Sequence, residues 1–342
     1  MQTMLEILKE LSGLTAVSGS EREAASIVER LRPLCDSVRQ TAGGSIIAVK
    51  RCGRPTAKKI MLDAHLDEVG LIVTEVDDHG FIHFANHAGV DEKILLNARV
   101  CVLGKKPLRG VIATKPPHLL TKEEREKPAK MKDMLIDVGL DADKARAFVR
   151  VGDFIAYEST FMQLLSNCVS GKSLDNRASI AVLISLLEML RGRQIYSDLY
   201  IVFSSGEEFG GFGAAATAKE IEPDLAIVLD VTHAETPTAP DAECGKLGKG
   251  VMIGVSPALD AALTDRMLSI AEQSRIPHQI EAMSGRTSTN ADTILPLCGG
   301  IPTSLLSIPL RYMHTPQELV SLADMVTVRS LLLAVLDEEG RV

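Results

Sequence analysis

Four apolar runs in this chain each deliver an imidazole or a carboxylate at their carboxyl end. KKIMLDA runs into His65, DLYIVFSS stops just before Gly206, Glu207 and Glu208, LAIVL reaches Asp230, and TSLLSIPL ends four residues short of His314. Short, almost wholly apolar runs bounded by Gly, Pro or Asp read as strands buried on both faces. Helical periodicity fills the gaps, over Asn176 to Leu190, Pro257 to Ser274 and Glu318 to Leu336. That alternation predicts an α/β domain, and open α/β sheets bind ligands beyond the carboxyl ends of their strands. Asp175, at the start of the first of these helices, joins the set.

The opening third adds helices over Thr3 to Leu11 and Glu21 to Leu34, the second marked by Ser20 and Glu23 in capping-box spacing. SVRQT and SIIAVKR, separated by Ala42, Gly43 and Gly44, predict a hairpin. From about Gly70 to Ser159 the texture changes to short alternating runs (LIVTEV, FIHFA, RVCVL, GVIATK, FIAYE), with one modest helical stretch at Asp141 to Phe148. HLLTKEEREKPAK within it reads as a solvated loop or helical turn. The expected organisation is a discontinuous α/β domain, residues 1–68 and 161–342, interrupted by a mainly β domain over 69–160.

With 342 residues, 46% of them hydrophobic and 24% charged, the chain has the composition of a globular protein with a sizeable core. A net charge of −8 without a Lys/Arg cluster argues against nucleic acid as a partner. No run approaches the length of a membrane span, and the N-terminus lacks the basic and apolar regions of an export signal. The six cysteines are scattered without a CxxC pair, which fits reduced thiols and a cytoplasmic location.

Two imidazoles and three carboxylates, from His65, Asp175, Asp230, His314 and one of the adjacent Glu207 and Glu208, suit Zn²⁺, Co²⁺ or Mn²⁺. A carboxylate such as Asp175 can bridge two ions about 3.5 to 4 Å apart, as two-metal hydrolases require. Asp67 is placed to fix the tautomer of His65. The adjacent Glu207 and Glu208 need different roles: one would ligate while its neighbour stays free to take a proton from a metal-bound water and pass it to the leaving amine. Each signal is weak alone, because a His after a strand is usually structural and a Glu pair usually a solvated turn. Their conjunction carries the reading.

The segments AHLDEVG (64–70), SGKSLDNR (170–177), SSGEEFGGFGA (204–214), LDVTHA (229–234) and RYMHTP (311–316) resemble, in order, those of the tetrahedral aminopeptidases, metallopeptidase family 42. The likeness spans essentially the whole chain. It implies that His65, Asp175, Glu208, Asp230 and His314 are the ligands of two zinc or cobalt ions, and that Glu207 is the general base. It also implies an exopeptidase acting on peptides, built as a homo-oligomer in which dimers made through the inserted domain assemble into a tetrahedral dodecamer. One departure is Asn290 in SGRTSTNAD, where many relatives carry Asp, a change expected to bear on substrate recognition.

The remaining candidates have plainer readings. His79, His83 and His87 lie in strand alternation around a turn at Asp78 to Gly80, and so read as hairpin residues. His118, after two prolines, and His233, near Asp230, carry no ligand signal of their own. Gly210, Gly211 and Gly213 do not form a nucleotide fingerprint and read as close packing around the Glu pair. Arg286 is either an anchor for an acidic substrate side chain or a solvent-facing loop residue. The same constellation would serve a di-metal deacylase or carboxypeptidase, and a silent peptide-binding relative would be expected to have lost one of the six positions. A cellulase is disfavoured, since its two carboxyls flank the bond about 5 to 9.5 Å apart, often beside aromatic platforms, whereas here Trp is absent and 4% of residues are aromatic.

Overall fold

A computed structural model describes residues 3–21, 25–237 and 244–339. Helix α1 (Met4–Ser12) is N-capped by Thr3 in a capping box with Glu6, and turns Ile7, Leu8 and Leu11 toward the core. Helix α2 (Ala25–Leu31) follows; Glu23, expected to help cap it, lies outside the described residues. Strands β1 (Ser37–Gln40) and β2 (Ile46–Lys50) form the expected antiparallel hairpin and lead into β3 (Lys59–His65).

The chain then enters a closed barrel. Its strands are β4 (Gly70–Val76), β5 (Ile82–His87), β6 (Arg99–Leu103), β7 (Pro107–Thr114), β8 (Met134–Asp137) and β9 (Phe154–Tyr157), paired in the order β4-β5-β8-β7-β6-β9. Alternate residues such as Leu71, Val73, Ile82, Val100, Val102, Ile112 and Ile136 fill its interior. The short helix α3 (Lys122–Arg125) falls within the polar segment read as a loop or turn, and α4 (Ala142–Phe148) matches the modest helical stretch.

After β10 (Met162–Gln163) and β11 (Cys168–Gly171) come α5 (Leu174–Met189), β12 (Asp198–Ser204), α6 (Phe212–Ile221), β13 (Leu225–His233), β14 (Val251–Val255) and α7 (Ala261–Gln273). The chain continues through β15 (His278–Ala282), α8 (Ala291–Ile294), β16 (Thr303–Arg311), β17 (Glu318–Ser321) and α9 (Leu322–Glu338). An eleven-stranded sheet runs β1-β2-β12-β3-β13-β16-β17-β11-β10, with β14 and β15 branching from β16. Its centre, β12-β3-β13-β16, is parallel, which is why those sequences are apolar without alternation. Ile60, Leu62 and Ala64 of β3 face a core shared with α1, α2, α5, α7 and α9, while Met61 faces the layer of α6 and α8. The α/β class expected from the sequence is the class observed.

Three differences from the sequence reading have physical causes. Glu318 to Ser321, expected as the first turn of the last helix, is a strand because β11 and β16 pair with it, and the Ser321 hydroxyl caps α9 from its end. The helix expected from Pro257 starts at Ala261, where Asp260 caps it. Strand β15 has the polar sequence HQIEA and exists through its pairing with β14.

Candidate metal centre

Parallel registry brings the strand ends together. Ser204 at the end of β12 stands opposite His65, and Asp230 in β13 opposite Ser307 in β16. Asp175 sits at the first turn of α5 in a non-helical conformation, with a cis peptide to Asn176. His314 has φ +62 in the turn between β16 and β17. The Glu207-Glu208 turn follows β12, and α6 begins close behind it because Gly213 has no side chain. A Cβ there would lie 2.2 Å from the Ser205 carbonyl oxygen.

Two ligand sets result, sharing Asp175. His65, Asp175 and Asp230 converge on one point, and Asp175, Glu208 and His314 on another, each set with donor atoms within 4.8 Å of one another. Asp175 Oδ1 is 2.9 Å from His65 Nε2, while its Oδ2 is 3.4 Å from His314 Nε2. Asp230 Oδ1 lies 3.6 Å from His65 Nε2, and Glu208 Oε1 3.3 Å from His314 Nε2. Glu207 belongs to neither set but lines the same cavity of about 450 Å³, with His65, Asp175, Glu208, Asp230 and His314.

The electrostatics fit cation binding. Burial first, then the charges of Asp230, Glu208 and Asp175, push the Glu207 carboxyl up to about 9 against the pull of His65. Burial likewise raises Glu208 to about 7, although His314 opposes it. Burial would pull His314 down, but its hydrogen bonds to Asp175 and Glu208 push it up to about 11. The carboxylates packed here against two imidazoles form an anionic hollow, and mixed N/O donors of this kind match borderline divalent ions. The five residues therefore fit two such ions.

Asp67 does something different from what its spacing predicts. The acceptor nearest His65 Nδ1 is the main-chain oxygen of Asp67, at 3.1 Å, whereas the Asp67 carboxylate stands 3.7 Å away. Its two oxygens instead accept the main-chain N–H groups of Glu207 (3.0 Å) and Glu208 (3.1 Å), and the Ser18 hydroxyl also donates to it. One buried carboxylate thus shapes the turn presenting both glutamates.

Arg286 lines the cavity from an exposed loop and has no ion-pair partner among the described residues. His233 also lines it, exposed and outside both ligand sets. Asn290 is turned away from the cavity. Its amide is buried and donates to Asp63 Oδ2 and Ser204 Oγ, both at 2.8 Å, so it ties the loop before α8 to β3 and β12. His87 donates to or accepts nothing in the metal centre; its Nε2 is 2.8 Å from the Ser18 carbonyl and its ring stacks on Phe209. The sequence reading missed Glu318, which is buried and accepts the main-chain N–H groups of both Asp175 (3.0 Å) and His314 (2.8 Å). Its spacing of four from His314 was the available signal.

The M42 glutamyl aminopeptidase family model matches residues 44–331. A putative aminopeptidase of Acetivibrio thermocellus is 33% identical over 97% of this chain and 98% of its own length. The structure of an aminopeptidase from the archaeon Desulfurococcus kamchatkensis superposes with a TM-score of 0.90 at 32% identity, covering 98% of this chain and 94% of that one. A Pyrococcus horikoshii TET1 peptidase, described as assembling into a tetrahedron or a large octahedral shell, gives a TM-score of 0.86 at 28% identity over 98% of this chain and 99% of its own. The ordered fold, the paired ligand sets and a match over most of the chain place this protein in the M42 family of metal-dependent aminopeptidases.

Proposed function

We propose that the protein releases N-terminal residues from peptides, with His65, Asp175 and Asp230 holding one divalent ion, Asp175, Glu208 and His314 holding the other, and Glu207 acting as general base. Zn²⁺ and Co²⁺ are the first candidates and Mn²⁺ the next. The observation that carries this reading is the division of labour in the carboxylates: Asp175 turns one oxygen toward each histidine, and Glu207 stays outside both sets while facing their cavity.

When bound, the ions supply Lewis-acid polarisation of the scissile carbonyl and lower the pKa of the attacking water. Glu207 takes the proton from that water and hands it to the departing amine nitrogen. Asp67 keeps the Glu207 carboxylate at the cavity wall by accepting the main-chain N–H groups of its turn. Divalent cations held beside it would favour the ionised form of the Glu207 carboxyl, which burial otherwise raises.

Residues 1–68 and 161–342 form the catalytic domain in this proposal, and 69–160 a dimerisation domain from which a dodecamer of cytoplasmic subunits is assembled. The M42 match and the closed barrel between β3 and β10 support that division, and the shell described for the Pyrococcus horikoshii peptidase supports the assembly.

The test is hydrolysis of aminoacyl p-nitroanilides by protein stripped with chelator and reloaded with Zn²⁺, Co²⁺ or Mn²⁺, beside N-acetylated controls. Metal-dependent release that needs a free amine is expected; cleavage of the blocked substrates would point to a deacylase. Glu207→Gln is expected to lower kcat by roughly 10²- to 10⁴-fold with both metals retained, and full activity in that variant would remove Glu207 as the base.

A further inference from the structure

The cavity at the metal centre contains a carboxylate that the proposed chemistry does not use. Glu281 lies on β15, three strands from Asp230 along the path β13-β16-β14-β15. Its register partner on β14 is Gly254, which has no side chain. Glu281 therefore reaches over β14 and accepts hydrogen bonds from the Ser307 hydroxyl on β16, at 2.9 Å, and from the Thr232 hydroxyl on β13. Each carboxylate oxygen keeps a free lone pair after accepting one hydroxyl. Among the described residues no Lys or Arg pairs with it, and burial raises its carboxyl above the ordinary range.

The cavity also carries apolar wall. Val231, Met283, Leu305 and Met313 line the same cavity. An anchored carboxylate among aliphatic and thioether walls complements a flexible hydrocarbon stem ending in a cation, which is the chemistry of lysine and arginine side chains. Arg286 offers the opposite charge, but from an exposed loop position where water and salt screen it and no partner holds its guanidinium. The carboxylate fixed by two strands is the better-organised recognition element.

We propose that Glu281 is a specificity-determining residue that receives the cationic end of the substrate's N-terminal side chain, so that the enzyme favours N-terminal lysine or arginine over glutamate. This rests on the aminopeptidase reading above and narrows its substrate class. Thr232 and Ser307 act as positioning residues for that carboxylate.

The experiment compares kcat/KM for lysyl, leucyl and glutamyl p-nitroanilides with metal-loaded wild-type protein, Glu281→Gln and Arg286→Ala. Wild type is expected to prefer lysyl over glutamyl substrate. Glu281→Gln is expected to lose roughly thirtyfold or more on lysyl substrate, with leucyl turnover changed by no more than about threefold, since an uncharged aliphatic side chain makes no ion pair there. Retained leucyl turnover also reports that the variant folds. A wild-type preference for glutamyl substrate, abolished in Arg286→Ala, overturns the proposal without needing the Glu281 variant. An equal loss on all three substrates in Glu281→Gln overturns it too, moving Glu281 to the α-ammonium group. If metal-loaded wild type cleaves none of the three, the aminopeptidase reading itself fails, an outcome distinct from leucyl cleavage without lysyl preference.

Discussion

Both oxygens of Glu318 are occupied by main-chain N–H groups, one from each of two ligand-bearing segments. Asp175 stands at the head of α5 and His314 in the turn between β16 and β17, so this carboxylate braces the two segments against each other. Burial drives its carboxyl well above the ordinary value, and only the amide donors and His314 offset that cost. Glu318→Gln turns one acceptor into an NH₂ group facing an N–H, leaving a buried donor unsatisfied at a cost of about 1 to 3 kcal/mol. The expected outcome is a lower melting temperature together with faster loss of metal to a chelator, read by elemental analysis. Wild-type metal retention would show that the brace does not reach the site. Asn290 illustrates the same scale: it serves the packing of β3, β12 and α8 through Asp63 and Ser204, not the cavity wall.

Among the elements, the junction between β12 and α6 decides how the two adjacent glutamates are presented. The turn has Gly206 at φ +68, Gly210 at +117 and Gly211 at +74, and Gly213, the second residue of α6, lies against the Ser205 backbone. Gly213→Ala would place a Cβ 2.2 Å from the Ser205 carbonyl oxygen, 2.7 Å from its nitrogen and 2.6 Å from the Ser45 hydroxyl, and the two main-chain contacts cannot be relieved by a rotamer change. A shift of helix or turn is unavoidable, with an expected destabilisation of about 1 to 3 kcal/mol and a fall in kcat, measured by thermal denaturation and p-nitroanilide turnover. Activity and melting temperature matching wild type would show that α6 moves independently of the turn. Strand β17 makes a related point. Its four residues are a strand through pairing on both sides, and that pairing holds Glu318 where it accepts the main-chain N–H groups of Asp175 and His314.

At the scale of the whole molecule, the candidate metal centre sits at the carboxyl ends of the parallel central strands, over a core made of apolar side chains. Chelation is therefore expected to abolish activity and lower the melting temperature while leaving far-UV circular dichroism largely unchanged, because an ion that binds only the folded state stabilises it by mass action. Unfolding on chelation would show that the sheet depends on the ions. Native mass spectrometry is expected to give twelve times the mass of the 36.8 kDa chain, whereas a stable monomer would overturn the proposed assembly. No helix among the described residues is long and apolar enough to cross a membrane. The sequence by itself determined the α/β class, the central strands and the residues at their ends, because apolar runs and strand-end positions are local patterns set by burial and by the direction of the chain. It marked His65, Asp175, Glu208, Asp230 and His314 as candidates for the same reason. Only the tertiary structure decided that Asp175 turns one oxygen to each histidine, that Asp67 holds the glutamate turn, and that Glu281 crosses a glycine to reach the cavity. Those relations join residues up to 141 positions apart, and side-chain direction across such separations is set by packing between elements, which no local periodicity records.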